Sequence, residues 1–580
     1  MNAIQQAVNQ AAEIILGGYR AACEKGLLPK AELSAPVIEV PKDPKNGDYA
    51  SSFAMQNAKA LRLSPLKTAQ AICENAILEN TLFSEVTCAA PGFINLRLSH
   101  GWYESVLSSI IKDGCDYGKT ACENPKKIMV EFVSANPTGP MHMGNARGGV
   151  LGDTLAEVLS RAGNHVCREF YVNDAGNQID KFAHSIEARL MQEIYGEEAF
   201  VFPEDGYHGD DIKALASDYI KEHGDSIKDA PEHERLNALA EYGLNRNIPK
   251  MKSDLQRYGI VYDNWFFESQ LHKGSIEETV KLLTDRGFTY ENEGALWLKT
   301  SEILHANLLR EGKTEEQIEK LELKDDVLRR SNGFYTYFAA DIAYHRNKLS
   351  ERGFDIAINI WGADHHGHVA RLKGALDALG LDGEHRLEII LMQLVRLMRD
   401  GEVVRMSKRT GKAIALSDLL DEIPVDAARY FFNSRAADTH LEFDLGLAVR
   451  QDSDNPVYYV QYAHARCKSI LKALSQEGIA TTPVNPNFSL LTDPAEIDLI
   501  RELSKLPEEI RLAADALDPS RLNRYSSSCA TAFHHFYSIC RIKEAATEDL
   551  RDARISLVNC VAQVIENTLS TLGVSAPDHM

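Results

Sequence analysis

Lys126-Lys-Ile-Met-Val-Glu-Phe-Val-Ser-Ala-Asn-Pro-Thr-Gly-Pro-Met-His-Met-Gly-Asn-Ala-Arg-Gly-Gly149 is the stretch from which the fold is read. Its apolar run, Ile128-Met-Val-Glu-Phe-Val133, is short and rich in bulky residues, which predicts a strand buried in a parallel sheet. Ser134 to Met141 contain two prolines and a glycine, so the strand must stop and turn. Past Asn145, Leu151, Leu155, Val158 and Leu159 recur at helical spacing until Gly163-Asn164 ends the run. Strand, tight loop and helix make the first βα unit of a nucleotide-binding α/β domain. His142-Met-Gly-Asn145 falls at the helix N-terminus, where free N–H groups and the positive dipole end favour a phosphate. Gly144 keeps the backbone bare there, so a nucleotide can lie flat against it.

A second motif stands far down the chain, in Arg405-Met-Ser-Lys-Arg-Thr-Gly411. Together the two resemble the signatures of class I aminoacyl-tRNA synthetases, His-Ile-Gly-His and Lys-Met-Ser-Lys. Asn145 stands for the second histidine and Arg405 for the first lysine. Asparagine donates and accepts hydrogen bonds but carries no charge, so a cationic role is lost at that position.

Composition bounds the remainder. A chain of 580 residues implies several domains. No apolar stretch is long enough to span a bilayer, and no signal peptide or lipidation motif is evident. Ten cysteines are scattered without a C-x-x-C pair, which argues against a zinc ribbon and for reduced thiols in a cytosol. The formal charge of −21 is unusual for a nucleic-acid binder. It is no veto, because contacts with nucleic acid depend on local basic and stacking surfaces. From Asn455 onward 12 Lys and Arg face 15 Asp and Glu, so most of the acidity lies elsewhere.

Along the chain, residues 1–115 read as a separate α/β module. An amphipathic helix opens it (Ile4, Val8, Ala11, Ile15), and Ser34–Val40 and Gly92–Leu98 read as strands. This module is either a packing domain or an RNA-contacting appendage. Residues 116–400 read as a Rossmann-type core with insertions at about 190–263 and 280–325. Within the core, Val166-Cys-Arg-Glu-Phe-Tyr-Val172 is a second strand running into the polar turn Asn173–Gln178. Phe288–Leu298 reads as a hairpin with Gly294 in its turn. Phe334–His345 reads as a helix entering the site, with Tyr337 and Asp341 on one face. Ile356–Trp361 is a buried strand that ends in Gly362-Ala-Asp-His-His-Gly-His368. These histidines lack the H-x-x-x-H spacing of a helical zinc site, so they read as hydrogen-bonding groups at a strand's carboxyl end. Residues 401–454 hold the basic loop and a connecting helical segment, and 455–580 read as a helical bundle. In that bundle Tyr458, Tyr459 and Tyr462, with Arg466, are either core aromatics or stacking planes for splayed bases.

The assembled motifs make the chain similar to arginyl-tRNA synthetases over nearly its whole length. They are Asn46-Gly-Asp-Tyr-Ala50, Glu131-Phe-Val-Ser-Ala-Asn-Pro-Thr-Gly-Pro-Met-His142, Asn173-Asp-Ala-Gly-Asn-Gln178, Tyr337-Phe-Ala-Ala-Asp-Ile-Ala343, Met406-Ser-Lys-Arg-Thr-Gly411 and Tyr459-Val-Gln-Tyr-Ala-His-Ala-Arg466. The ending Ala576-Pro-Asp-His-Met580 is also similar to the family's, which implies a complete chain.

The resemblance implies an α/β enzyme: a Rossmann-type class I core, an N-terminal domain at the tRNA elbow and an all-α anticodon-binding domain. It implies ATP-dependent activation of L-arginine, transfer to the 2′-hydroxyl of the terminal adenosine of tRNA(Arg), and activation that needs bound tRNA. Mg²⁺ arrives with ATP, no protein metal site is expected, and the enzyme is a cytoplasmic monomer. His142, Gly144, Asn145 and Lys408 carry the chemistry. ATP meets these and Asp364, His365, His368, Met406 and Ser407. Arginine meets Glu131, Ser134, Asn136, Tyr337, Asp341 and His365, unless Glu131 pairs with a protein cation instead. Asn46, Tyr49, Tyr458, Tyr459, Gln461, Tyr462 and Arg466 contact tRNA. Two other readings stand beside this one: a catalytically silent tRNA-binding paralogue, and a nucleotidyltransferase without tRNA.

Overall fold

The run after Lys126 forms strand β1 (Lys127–Glu131) at the centre of a five-stranded sheet in the computed structural model, which describes residues 2–399, 401–404 and 414–580. The other strands are β2 (His165–Val172), β3 (Asn264–Phe267), β4 (Ile356–Gly362) and β5 (Leu387–Met392), in the spatial order β5-β4-β1-β2-β3. All four pairings are parallel, as the apolar character of β1 and β4 requires. β1 stops at Glu131, two residues before the sequence pattern breaks. Val133 and Ser134 take positive φ of 69° and 42°, which turns the chain off the ladder although the side chains remain apolar.

Helix α1 (Met143–Arg161) returns from β1 toward β2 and packs closely on the strand end. At Gly152 an added Cβ would lie 2.1 Å from the Phe132 ring, so only glycine permits this approach. Helix α2 (Tyr337–Arg346) is capped by Thr336, whose hydroxyl accepts from the Ala339 N–H, so it begins three residues later than Phe334. It runs directly into a π-helical turn, Asn347–Glu351. After β4 a short 3₁₀ turn, Ala363–His365, leads into helix α3 (His366–Ala378).

The charge-dense segment after β2 is helical, as read. Asn177–Tyr195, Asp210–His223 and Glu232–Arg257 pack around a small core that includes Phe182, Ile186, Ile212 and Leu239. The expected hairpin is Thr289–Asn292 paired with Ala295–Leu298. Glu293 and Gly294 form its turn, both at positive φ.

The N-terminal residues fold as an antiparallel four-stranded sheet with helices. The strand expected at Ser34–Val40 shortens to Ile38–Glu39, and Phe83–Ala89 supplies a strand that the sequence pattern did not reveal. The helical C-terminal part begins with α4 (Pro456–Gln476) and ends with the helix Glu548–Thr571.

Candidate active site

Three clefts meet along the carboxyl edge of the sheet. The first has a volume of about 620 Å³ and is walled by Glu131 and Ser134 after β1, Tyr337 and Asp341 on α2, and Asp364, His365 and His368 beyond β4. The second, about 570 Å³, shares Val133 and Ser134 with the first and continues past Asn136 to His142 and Asn145. The third, about 320 Å³, joins His142, Met143 and Gly144 to Val395–Leu397, Val404 and Ile414.

The signature turn is a capping box. His142 is the N-cap of α1: its Nδ1 accepts the Gly144 N–H at 3.0 Å, and its own N–H donates to Asn145 Oδ1 at 3.2 Å. Asn145 therefore fills its place as an acceptor, a role that needs no positive charge. With Nδ1 occupied, the neutral ring carries its proton on Nε2. A Cβ at Gly144 would come within 2.8 Å of the His142 ring, so glycine is required by the cap itself. The Met143 N–H donates to the Ile414 carbonyl and the Leu416 N–H to the Met141 carbonyl, each at 2.9 Å. The far flank of the basic motif is thus tied to the signature turn. Met406, Ser407 and Lys408 themselves lie outside the described residues.

The first cleft meets the sheet at a polar row where a parallel strand should be apolar, and Glu131 and Asn359 of that row line the cleft. Strand register aligns Asn359, Glu131, Glu169 and Asn264 in one row across β4, β1, β2 and β3. Two cations answer the two acids. Lys348 donates to Glu131 Oε2 at 2.5 Å and Arg352 to Glu169 Oε2 at 2.5 Å. Lys348 is fully buried and stands 4.0 Å above the Tyr344 ring, while Ser134 donates to the other Glu131 oxygen at 2.9 Å. Glu131 thus pairs with a protein lysine while still lining the cleft.

Asp341 is held differently. His368 Nε2 lies 2.6 Å from Asp341 Oδ2, and His345 Nδ1 lies 2.8 Å from the Asp341 carbonyl and 3.3 Å from Oδ1. Burial works to raise the Asp341 pKa. The hydrogen bonds from His345 and His368 outweigh it and keep the carboxyl below the usual range, hence ionised. Glu268, just past β3, is a carboxyl in the same cleft that sequence reading missed; burial raises its pKa. Its position at the carboxyl end of a strand was the available signal.

Packing places several of the expected site residues in definite surroundings. His368 is engaged by Asp341 and by Arg371, whose Nη2 lies 3.4 Å from Nδ1, and its ring lines the first cleft. Asp364 stands at the rim with its side chain 82% exposed. Tyr49 is only 6% exposed and packs edge-on against Phe83 in the N-terminal core, and Asn46 near it is exposed. Gln461 is 8% exposed and donates to Asp426 and to the Ser575 carbonyl. The remaining aromatics of α4 do form a platform: Tyr458 and Tyr462 stack with planes 7° apart, His534 lies against Tyr459 and Tyr462, and Arg466 lies over Tyr537. Among the described residues no group of three His, Cys, Asp or Glu could hold a metal ion, and no helix is long and apolar enough to cross a membrane.

Comparison with known proteins agrees with this arrangement. Residues 2–98 match the family model described as the arginyl tRNA synthetase N terminal domain. Residues 106–444 match that for tRNA synthetases class I (R), catalytic domain, and 460–580 that for the DALR anticodon binding domain. The arginine–tRNA ligase of Ruminiclostridium cellulolyticum is 49% identical, covering 98% of this chain and 97% of that protein. The one from Acetivibrio thermocellus is 47% identical and covers both chains completely. A crystal structure of a putative arginyl tRNA synthetase from Campylobacter jejuni superposes with a TM-score of 0.73 at 34% identity, over 83% of this chain and 100% of that one. The Thermus thermophilus arginyl-tRNA synthetase, at 22% identity, shares the fold over 99% of this chain and 100% of its own, with a TM-score of 0.71. The chain therefore belongs to the arginyl-tRNA synthetase family, the class I ligases that use ATP to join arginine to tRNA.

Proposed function

We propose that the first cleft seats L-arginine and the second ATP, with the signature turn at the junction where the substrate carboxylate meets the α-phosphorus. The observation that carries this reading is Asp341, an ionised carboxylate in a cleft wall beside Glu131 and Tyr337. Guanidinium is planar, always charged and rich in donors, and so matches such a carboxylate in geometry as well as charge. Asn136 and Ser134 take the backbone end of the amino acid, and His365 closes the rim.

The arginine carboxylate then attacks the α-phosphorus. An oxygen–phosphorus bond forms, the bond to the bridging oxygen breaks, and pyrophosphate leaves. Little covalent work falls to the protein, so positioning and charge stabilisation dominate. His142 Nε2–H and the dipole of α1 favour phosphate oxygens near Gly144 and Asn145, whose N–H groups, like that of Met143, are already engaged within the turn and by Ile414. Lys408, with Met406 and Ser407, meets the leaving pyrophosphate. Mg²⁺ enters on the ATP phosphates as part of that substrate. The 2′-hydroxyl of the terminal adenosine of tRNA(Arg) next attacks the adenylate carbonyl, loses its proton to solvent and releases AMP.

Transfer RNA lies along Asn46 at one end and the α4 platform at the other, and its binding is a condition of activation. The working division is 1–115, 116–400, 401–454 and 455–580, in a cytoplasmic monomer. Asp341→Asn is the deciding variant. It should weaken arginine use by about 2–5 kcal/mol in kcat/KM, the usual cost of truncating one member of a buried charge pair, and leave the ATP Michaelis constant nearly unchanged. Equal effects on both substrates, or none on arginine, remove Asp341 from the pocket.

A further inference from the structure

Lys348, Asn359 and His345 form a hydrogen-bonded chain whose polarity is fixed at every link. A lysine ammonium only donates, so Asn359 Oδ1, 3.1 Å from Lys348 Nζ, must be the accepting end of the amide. The Asn359 amide nitrogen is therefore the group 2.7 Å from His345 Nε2, and it donates. Nε2 must then be unprotonated, and the ring proton sits on Nδ1, from which it donates to the Asp341 carbonyl and faces Oδ1. The same logic applies on the other side. Arg371 Nη2 only donates, so His368 Nδ1 accepts and its Nε2–H donates to Asp341 Oδ2. Both imidazoles are neutral in this arrangement.

The charges in the cleft can then be counted. Glu131 is matched by Lys348, and Arg371 by Asp326 at 2.6 Å. Glu268 is faced by His272, whose Nε2 lies 3.4 Å from Oε1, and Asp364 stands in solvent at the rim. Asp341 is left as the anion that neutral donors orient and no cation pairs.

We propose that Lys348 and Asn359 are positioning residues for substrate choice: by fixing His345 as the neutral Nδ1–H tautomer they leave Asp341 uncompensated, and so match the cleft to one planar cation. The inference rests on the reading of this cleft as the arginine site. It gives the buried Lys348, which contacts no substrate in that reading, a reason to occupy the protein interior. It also explains why an asparagine interrupts the apolar run of β4.

Asn359→Asp tests the chain with a nearly isosteric change. A carboxylate at 359 accepts from His345 Nε2, which becomes protonated, and the resulting imidazolium pairs with Asp341. Aminoacylation kinetics should then show the arginine Michaelis constant raised about tenfold or more, with kcat and the ATP constant within about twofold. The preference for arginine over its neutral isostere citrulline, measured as competitive inhibition, should fall by a similar factor. An unchanged preference in a folded variant overturns the proposal. If Asp341→Asn leaves the arginine constant unchanged, the cleft reading has failed independently of the chain. If Asn359→Asp does not fold, long-range ¹H–¹⁵N spectra of the histidine-labelled wild-type protein decide, with His345→Gln for assignment. A neutral Nδ1–H ring for His345 supports the proposal, and an Nε2–H or doubly protonated ring at pH 7.5 overturns it.

Discussion

Asp341 keeps its charge in a half-buried cleft wall because two histidines give it hydrogen bonds that solvent would otherwise supply. Its pKa lies below the ordinary aspartate value of about 3.9, so the ionised form and the stability it brings persist above that value. Both are lost only as pH falls through the depressed value. The ¹³C resonance of the Asp341 carboxyl should accordingly show no protonation step between about pH 7.5 and about 4.5. A midpoint inside that range would mean that burial outweighs the hydrogen bonds. At this scale the sequence was informative about chemical type and less so about partners. Tyr337 and Asp341 share a face as their spacing requires, yet nothing local marks Lys348 as the cation that meets Glu131 217 residues away.

The first turn of α1 shows how one short element serves both stability and chemistry. Four N–H groups open every helix, and His142 with Asn145 satisfies two of the polar groups at this end while leaving Gly144 and Met143 facing the clefts. Asn145→Ala removes the acceptor for the His142 N–H and should cost about 0.5–2 kcal/mol, the range for a lost helix cap. Thermal unfolding measures that cost. The ATP Michaelis constant should rise in the same variant, because His142 is no longer held by its partner. An unchanged melting temperature would mean that water replaces the asparagine at no cost. The βα unit itself was legible because its signals are local: an apolar run, two prolines with a glycine, then a 3.6-residue period. The end of β1 was not, since a left-handed Val133 goes against the preference of a β-branched residue and is held there by the structure around it.

Across the whole molecule, buried arginines hold the parts in place. Arg429 Nη2 pairs with Asp153 of α1 at 2.5 Å, Nη1 donates to the Tyr258 carbonyl at the end of the insertion's last helix, and Nε donates to the Leu572 carbonyl behind the last helix of the chain, each of these two at 3.1 Å. Asp153 also accepts from Arg168 at 3.0 Å. Arg429→Ala should therefore destabilise by about 3 kcal/mol, the low end for breaking a buried pair, because Arg168 still faces the abandoned carboxylate. The fall in melting temperature measures it, and a wild-type melting temperature would show that the clamp contributes nothing. Deletion from Asn455 onward is a poor probe of anticodon recognition, since it strips Leu572 from Arg429 and Asn567 from the Gly114 and Tyr117 carbonyls. The Asn46-Gly-Asp-Tyr49 motif belongs to the same scale. Gly47 sits at φ 90° where a Cβ would strike the Leu96 carbonyl at 2.6 Å, Asp48 accepts the Leu98 N–H at 2.8 Å and pairs with Arg501, and Tyr49 is core. Asp48 docks the N-terminal domain onto the helical one through Arg501, Gly47 and Tyr49 fit the N-terminal domain's own sheet and core, and Asn46 is exposed.

Residue order by itself determined the α/β class, the parallel sheet, the signature turn and the family, because periodicity, turn chemistry and motif identity are written in consecutive residues. Tertiary structure decided which side chains meet. Glu131, Glu169 and Asn359 look like isolated polar interruptions in three apolar strands, and only parallel register turns them into one row over Lys348 and Arg352. Tyr49, Gln461 and His368 have residue types suited to contacting ligand, and packing turned the first two inward and bound the third to Asp341. The physical reason is common to all of them. Pairing across strands and domains depends on register and on desolvation, and both are properties of the assembled core that no window of sequence contains.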